Sequence, residues 1–225
     1  MGRASLVVVI PAFREERTIG PVVRSAREHA DVIVVDDCSP DATGDRAREA
    51  GAIVVRNVAN LGYDGTLSAG FDAAAEAGYT HIVTMDADGE HDPALVAKYR
   101  EALIGRHMPL VLGVRPHKQR VAETIMGLVI RARFGANDIL CGMKGYDMRL
   151  WELNGGFDHH EGIGTELAIN ALKAGVSFEE IPVAGTPRAD APRFDRRLRA
   201  NMRIIRALFG AVTRPNQFDV GEARF

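Results

Sequence analysis

The sequence predicts a single α/β domain with a mostly parallel central sheet and helices on both faces. Short β-branched apolar runs alternate with helical segments along the first 115 residues, which is the rhythm of strand–helix–strand units. The first run, residues 6–10, is apolar throughout, as expected of a strand buried on both faces. With 225 residues, 46% of them hydrophobic and 26% charged, the chain is long enough to bury a core in one such domain.

The elements follow in order along the chain. Strands are predicted at residues 6–10, 32–35, 52–55, 81–85 and 110–113. A first helix over residues 18–30 places Ile19, Val22, Val23 and Ala26 on one side, a second ends at Ala50, and a third covers residues 66–77. After residue 115 the pattern loosens into helices and short strand-like pieces such as residues 178–183, without a linker or an internal repeat.

Composition excludes several classes of function. The net charge of −2 gives no global basic field, so no nucleic-acid partner is expected. Cys38 and Cys141 lie far apart and outside any CxxC motif, which argues against a disulfide scaffold or a zinc knuckle and suits a reducing compartment. The run at residues 6–10 is too short for a signal-peptide core, and no stretch of about 18 apolar residues predicts a membrane span. We therefore expect a cytoplasmic location.

Two aspartates one residue apart, Asp86 and Asp88, directly follow the apolar run 81–85. In an extended backbone these side chains point to the same face, and the carboxyl end of a strand is where open α/β sheets bind ligands. Two adjacent carboxylates repel each other, so a cation is expected between them, and Mg²⁺ or Mn²⁺ suits oxygen ligands best. A surface turn with solvated acids is the alternative, which this motif alone leaves open.

Two common nucleotide-binding classes do not fit the loops. A dinucleotide-binding domain needs glycines after its first strand, whereas the turn at residues 11–16 contains none. No Gly-Lys-Ser/Thr string follows any predicted strand, which excludes a P-loop. A sugar-phosphate nucleotidyltransferase is disfavoured because it also usually opens with a glycine-rich loop.

Six segments in order resemble the motifs of glycosyltransferase family 2. IPAFREE (residues 10–16) is similar to its IPAYNEE opening, VDDCSPDAT (35–43) to its VDDGSPDGT segment, and NLGYDG (60–65), followed by Ala69 and Gly70, to its N-x-G-x-G stretch. MDAD (85–88) matches its metal motif, and LGVR (112–115) and EIPV (180–183) resemble two later signatures. Together with DILCG (138–142), the last segment looks most like the polyprenol-phosphate mannosyltransferase branch. The resemblance covers residues 6–212 and implies a GT-A fold.

The resemblance also implies a division of the chain and a donor site. Residues 1–115 would bind the nucleotide, residues 116–212 the acceptor, and residues 213–225 would form a tail. The nucleoside pocket would be lined by Pro11, Phe13, Glu15 and Asp37, whereas Asp36 would cap backbone amides of the Ser39 turn. The metal and the diphosphate of a GDP- or UDP-sugar would be held by Asp86, Ala87, Asp88, Glu90 as a third ligand, Arg115 and Arg188.

The acceptor side contains further acids. Asp138 and Glu166 stand in apolar surroundings, and one of them would accept the acceptor's proton in an inverting transfer. Together with Asp88 and Arg115, they form the predicted catalytic set. With a phosphate as acceptor no base is required, and these acids would only position groups. Lys144 and Tyr146 are further candidates for the pocket.

The C-terminal segment combines a basic and an apolar pattern. Seven arginines between residues 188 and 206 surround a stripe formed by Leu198, Met202, Ile205 and Phe209. Such a helix would either lie on an anionic membrane surface or pack its stripe on the sheet. The expected activity is metal-dependent inverting sugar transfer to a polyprenol phosphate at the cytoplasmic membrane face. A non-lipid glycan acceptor, a nucleotide-sugar-binding protein without turnover, and a homodimer stay open.

Overall fold

The computed structural model describes residues 4–116, 121–158 and 163–183, together with Gly210 and Thr213. Over these residues the chain forms one seven-stranded sheet with helices packed on both faces, which confirms the predicted fold class. Within this part of the chain, every helix is too short or too polar to span a bilayer.

The strands and helices alternate over most of the chain. The strands are β1 (Leu6–Ala12), β2 (Asp31–Asp36), β3 (Ile53–Arg56), β4 (His81–Thr84), β5 (Leu110–Val114), β6 (Lys144–Asp147) and β7 (Phe178–Pro182). The helices are α1 (Ile19–Ala26), α2 (Thr43–Glu49), α3 (Gly62–Glu76), α4 (Leu95–Arg100), α5 (Val121–Phe134), α6 (Met148–Asn154) and α7 (Glu166–Lys173). A turn of π-helix, Glu101–Gly105, continues α4.

The sheet has the strand order β3-β2-β1-β4-β6-β5-β7. Strand β6 is antiparallel to both of its neighbours, and the other paired strands are parallel. Lys144, the first residue of β6, lies opposite Thr84 of β4 and Leu112 of β5. The reversed strand therefore brings its amino end, and the segment before it, to the edge where the parallel strands end.

Each face of the sheet has its own apolar core. Val7 and Val9 of β1 point to the side covered by α3, α5 and α7, and Val8 and Ile10 point to the side covered by α1, α2 and α4. This alternation explains why residues 6–10 are apolar throughout, because a strand covered on both faces has no solvent side. The predicted apolar side of α1 is buried as expected.

The differences from the predicted elements have local causes. Helix α3 begins at Gly62 rather than at residue 66, because the Asp37 carboxylate accepts the N–H groups of Leu61 and Gly62 at 2.8 and 3.0 Å. Strand β6 was not predicted, since its sequence Lys-Gly-Tyr-Asp has no β-branched residue. Its strand conformation comes from pairing with β4 and β5 on both sides.

Candidate active site

Asp86 lies just beyond β4 and is held from several directions. Its Oδ1 accepts a hydrogen bond from the Tyr63 hydroxyl at 3.2 Å, and its main-chain N–H donates to Nδ1 of His91 at 3.2 Å. The side chain nevertheless remains 32% exposed. Desolvation and the Asp86 carboxylate raise the pKa of Tyr63 well above its ordinary value, so that hydroxyl stays a neutral donor. Asp86 therefore presents an oriented carboxylate that a ligand can still reach.

Gly142 packs directly against the Asp86 carboxylate. A Cβ at this position would lie 2.2 Å from Oδ2 of Asp86, closer than two non-bonded atoms can approach. The carbonyl of Gly142 is fixed at the same time, because it accepts a hydrogen bond from the Thr84 hydroxyl at 2.7 Å. The segment before β6 thus forms one wall of the Asp86 site, and a Cβ at position 142 would force the Asp86 carboxylate to move.

Gly142→Ala is expected to displace the Asp86 carboxylate and to weaken metal-dependent nucleotide binding at least about tenfold, a loss of the size seen when the surroundings of a metal ligand change. Calorimetric titration would measure this. Gly20→Ala in α1 is the matched control, because its added Cβ meets only the end of the Arg24 side chain at 3.4 Å. Equal nucleotide affinities in both variants would contradict the assignment of Asp86.

Asp88 and Glu90 are arranged differently from the prediction. Residues 87–89 form a turn rather than extended backbone, so the i, i+2 alternation of a strand does not orient the two aspartates. Oδ1 of Asp88 accepts the main-chain N–H of Glu90 at 3.0 Å, and the Ala87 side chain is buried. Among the described residues, no three His, Cys, Asp or Glu side chains form a metal-binding group. The expected three-carboxylate set with Glu90 is therefore not preformed.

Arg115 and Asp138 form a bidentate ion pair. Nε and Nη2 of Arg115 donate to the Asp138 carboxylate at 2.8 and 3.0 Å, and the Arg115 main-chain N–H reaches Oδ2 at 3.2 Å. Nη2 also lies 3.5 Å from the buried Glu123 carboxylate of α5. Although burial raises the pKa of Asp138, hydrogen bonds and charge from Arg115 hold it below its ordinary value. Asp138 is thus ionised and already paired, an arrangement that favours positioning Arg115 over accepting a proton.

A second cluster fixes the turn that precedes α7. The Asp64 carboxylate accepts the N–H groups of Ile163, at 3.2 Å, and of Gly164, and the buried Nζ of Lys144 donates to the Gly164 carbonyl at 3.1 Å. Ile163 and Gly164 both adopt left-handed conformations, with φ of 52° and 66°. Glu166 follows as the first residue of α7. The predicted acceptor-side acid therefore starts a helix whose preceding turn is clamped from two sides.

The Asp64 carboxylate lies close to a second acid, Asp158. Burial and the Asp158 carboxylate raise the pKa of Asp64 to about 7. Because the folded state then holds a proton that the unfolded chain releases near pH 4, stability should fall as the pH rises from about 4 to about 7. Asp158→Asn should reduce this fall, so that its melting temperature exceeds that of the wild type by a few degrees at pH 8 and by less at pH 5. If the difference in melting temperature between Asp158→Asn and the wild type were the same at every pH from 5 to 8, the pairing of Asp64 with Asp158 would be contradicted.

The residues at the end of β1 line the same edge of the sheet. Phe13 is half-buried, and the Arg14 guanidinium lies 5.2 Å above its ring centre. Glu15, also half-buried, accepts the Thr18 hydroxyl at 2.8 Å. Pro11, the last but one residue of β1, pairs with Val35 of β2. The predicted pocket residues are therefore grouped, and one face of the Phe13 ring is covered by a cation.

The two acids at the end of β2 both accept hydrogen bonds from neighbouring loops. Asp36 accepts the Ser39 N–H at 2.9 Å, as predicted, and its other oxygen is paired with Arg56. Asp37 is 3% exposed, and besides the amides at the start of α3 it accepts the Asn57 side chain at 2.8 Å. Three donors therefore bind this buried carboxylate and fix the loop before α3. The sequence suggested such a loop-shaping role for Asp36 alone.

Other predicted residues lie elsewhere. Tyr146 is buried in the core against Phe71, with ring centres 5.6 Å apart, and so does not line a pocket. Arg188 and the basic C-terminal segment lie outside the described residues. Sequence reasoning missed His91 and Tyr63, which contact Asp86, and Glu123, which lies beside Arg115. Tyr63 lies within the NLGYDG segment and His91 three residues beyond Asp88, so both stood close to motifs, whereas Glu123 did not.

The candidate site thus lies at the carboxyl edge of the sheet. Residues 7–140 of the chain match the sequence profile of the family described as glycosyl transferase family 2. The chain belongs to this family. It is 30% identical over 207 residues to the undecaprenyl-phosphate mannosyltransferase of Micrococcus luteus, covering 81% of this chain and 84% of that protein. It is 27% identical over 207 residues to the polyprenol monophosphomannose synthase of Mycolicibacterium smegmatis, covering 81% and 77%. The chain is therefore a glycosyltransferase, as the six motifs implied.

A solved structure supports the fold of this family 2 member. Glucosyl-3-phosphoglycerate synthase from Mycobacterium tuberculosis, in complex with Mn²⁺, UDP and phosphoglyceric acid, superposes with a TM-score of 0.77. The match covers 94% of this chain and 80% of that chain at 22% identity. It confirms that the arrangement of sheet and helices is the one found in a glycosyltransferase.

Proposed function

We propose that this protein transfers a sugar from a nucleotide-sugar donor to a polyprenol phosphate, with inversion at the anomeric carbon and with a divalent cation. The observation that carries the proposal is the partly exposed Asp86 carboxylate at the carboxyl edge. It packs against Gly142, in the same segment as Asp138, the partner of Arg115. The relatives named above as mannosyltransferases of polyprenol phosphates support this acceptor. The neighbouring structure with UDP and Mn²⁺ supports a nucleotide and a metal.

The residues present fit a cation whose coordination is completed by phosphate oxygens of the substrate. Asp86 and Asp88 are hard oxygen donors, and Mg²⁺ is commonly bound by one or two carboxylates together with substrate phosphates rather than by an all-protein cage. The lack of a three-ligand group among the described side chains agrees with this mode. When bound, the cation would neutralise the diphosphate of the donor. Glu90 would then contribute less than Asp86 and Asp88.

The cationic side chains are placed to stabilise the leaving group. Arg115 keeps its guanidinium oriented through Asp138, and the buried Lys144 lies between the strands that lead to Asp86 and to Arg115. Burial holds the pKa of Lys144 below its ordinary value, although the nearby Cys141, Asp138 and Asp86 side chains partly oppose this effect. Fixed positive groups at the departing diphosphate lower the barrier to breaking the bond to the sugar. Arg188 would add to this set from outside the described residues.

The nucleoside would lie over the ends of β1 and β2. Phe13 offers an aromatic edge or face and Glu15 a carboxylate for a ribose hydroxyl, and Pro11 and Ala87 would shape the floor. Asp37 holds the loop before α3 in place, so its part in donor binding is indirect. The sugar would then point from the diphosphate toward the turn before Glu166.

A phosphate acceptor explains why no free base is needed. A phosphate oxygen of the acceptor would attack the anomeric carbon, and the bond to the nucleoside diphosphate would break on the opposite side. Asp138 is already paired with Arg115 and is therefore expected to hold the guanidinium rather than to take a proton. Glu166 would position the acceptor from the start of α7.

The test is a transfer assay with labelled GDP-mannose and UDP-glucose against undecaprenyl phosphate, phosphoglyceric acid and a neutral oligosaccharide. The proposal predicts a metal-dependent product with undecaprenyl phosphate only, and inverted anomeric configuration by NMR. If product formed only with phosphoglyceric acid or only with the oligosaccharide, the acceptor would be that compound and not the lipid phosphate. A product with retained configuration would contradict the mechanism.

Contact of residues 188–209 with the membrane surface is a separate prediction, which sedimentation with anionic vesicles would test.

A further inference from the structure

His91 is a buried histidine that contacts the main chain of Asp86 rather than a substrate. It is 6% exposed, and its Nδ1 accepts the Asp86 N–H at 3.2 Å while lying 3.8 Å from Oδ2 of the same residue. The ring also forms a hydrogen bond with the Cys141 side chain. His91 thus links the turn that carries Asp86 and Asp88 to the segment that carries Gly142.

The orientation of the ring follows from these contacts. Burial lowers the pKa of His91, but the hydrogen bond with Cys141 and the charge of Asp86 outweigh burial and raise this pKa to about 9. That raised pKa favours a charged ring, whereas the hydrogen bond from the Asp86 N–H requires an unprotonated Nδ1; we follow the hydrogen-bond geometry, which is that of the neutral ring with its proton on Nε2. The function of the ring at Asp86 is therefore that of a hydrogen-bond acceptor of fixed position.

The contact lies where the pairing of β4 with its neighbour in the sheet ends. Residues 87–89 leave the strand, so pairing in the sheet ends at Thr84. The Met85 N–H still bonds to the Val9 carbonyl at 3.1 Å, and the next main-chain N–H, that of Asp86, bonds to His91. An acceptor at this place sets the direction in which the Asp86 carboxylate leaves the backbone.

We propose that His91 is a positioning residue for the metal site, which fixes Asp86 through its main-chain N–H. The inference rests on the proposed function, since it concerns the same cation. Groups that orient a metal ligand without touching the metal typically change metal affinity by about 10- to 100-fold when they are removed. His91 would orient Asp86 in this way, and it is not itself one of the carboxylates that would bind the cation.

Two substitutions separate positioning from packing. The side-chain oxygen of asparagine can occupy the place of Nδ1, whereas glutamine places its polar atoms near Nε2, farther along the ring. His91→Asn should therefore retain the acceptor for Asp86, and His91→Gln should lose it. Val34→Ala, which opens a cavity in β2 at a fully buried position, controls for general loss of stability.

The experiment measures Mn²⁺-dependent binding of GDP and UDP by calorimetry, with the Mn²⁺ electron paramagnetic resonance spectrum as a second readout. We expect at least about tenfold weaker binding and an altered spectrum in His91→Gln, and values within about threefold of the wild type in His91→Asn and Val34→Ala. Equal loss in the Asn and Gln variants, or no loss in His91→Gln, would overturn the inference. Absence of metal-dependent binding in the wild type would instead overturn the proposed function.

Discussion

Asp86→Asn is expected to reduce sugar transfer by at least about a hundredfold, the loss typical of removing one group that stabilises developing charge. The substitution removes a charge but keeps the size of the side chain and its acceptor for the Tyr63 hydroxyl. The fold should therefore stay intact, and the loss should come from weaker attraction for the cation and the diphosphate. Asp88→Asn is expected to behave in the same way.

The assay needs a control with the same chemical change nearby. Asp92→Asn is suitable, because Asp92 is exposed and its side chain accepts the Ala94 N–H at 3.0 Å, which an asparagine side chain can also do. Transfer rates and melting temperatures would be compared for the variants. A rate within threefold of the wild type in Asp86→Asn would show that the metal site lies elsewhere. A loss in Glu90→Gln as deep as that in Asp86→Asn would establish Glu90 as a ligand of equal weight.

Arg115→Met should abolish transfer and also lower the free energy of unfolding by about 3–5 kcal/mol. The arginine is the partner of two buried carboxylates, those of Asp138 and Glu123, which are 3% and 5% exposed. Its removal takes the bidentate cation away from Asp138 and the nearby guanidinium away from Glu123. Chemical denaturation would measure the stability, and lowering the pH from 7 to 5 should recover part of it in the variant by protonating the stranded acids.

A second variant separates the stability effect from the catalytic one. In Arg115→Met/Asp138→Asn one stranded charge is gone, so part of the stability should return while transfer stays absent. In the wild type, whose Asp138 has a lowered pKa, the stability that this pair contributes is kept above about pH 4 and lost below it. Recovery of both stability and transfer in the double variant would show that Arg115 serves the fold alone.

The sequence predicted those features that depend on local pattern. The five strands predicted in the first 115 residues are each based on an apolar run. All five are present, and each observed strand end lies within two residues of the predicted end. The sites of Asp86 and Arg115 were also predictable, because they follow such strands. Their assigned chemical roles are proposals.

Features that depend on contacts between distant segments were not predictable. Strand β6 takes its conformation from two neighbours, and α3 begins early because Asp37 lies at its amino end. The pairing of Arg115 with Asp138 joins residues 23 positions apart, and that of Asp64 with Gly164 joins residues 100 apart. No periodicity along the chain encodes such pairs, so an acid that the sequence offered as a base, Asp138, proves to be the partner of an arginine.

The central claim is that the carboxylates after β4 bind a nucleoside diphosphate through a divalent cation. Calorimetric titration of GDP, UDP, dTDP and CDP into the wild-type protein, each with Mn²⁺ and again with chelator, tests it most directly. The account predicts that one nucleotide binds with Mn²⁺, that chelator removes the binding, and that Asp88→Asn weakens it. Equal affinity with and without the metal, or no binding of any of the four, would contradict the account and leave the family to explain the fold alone.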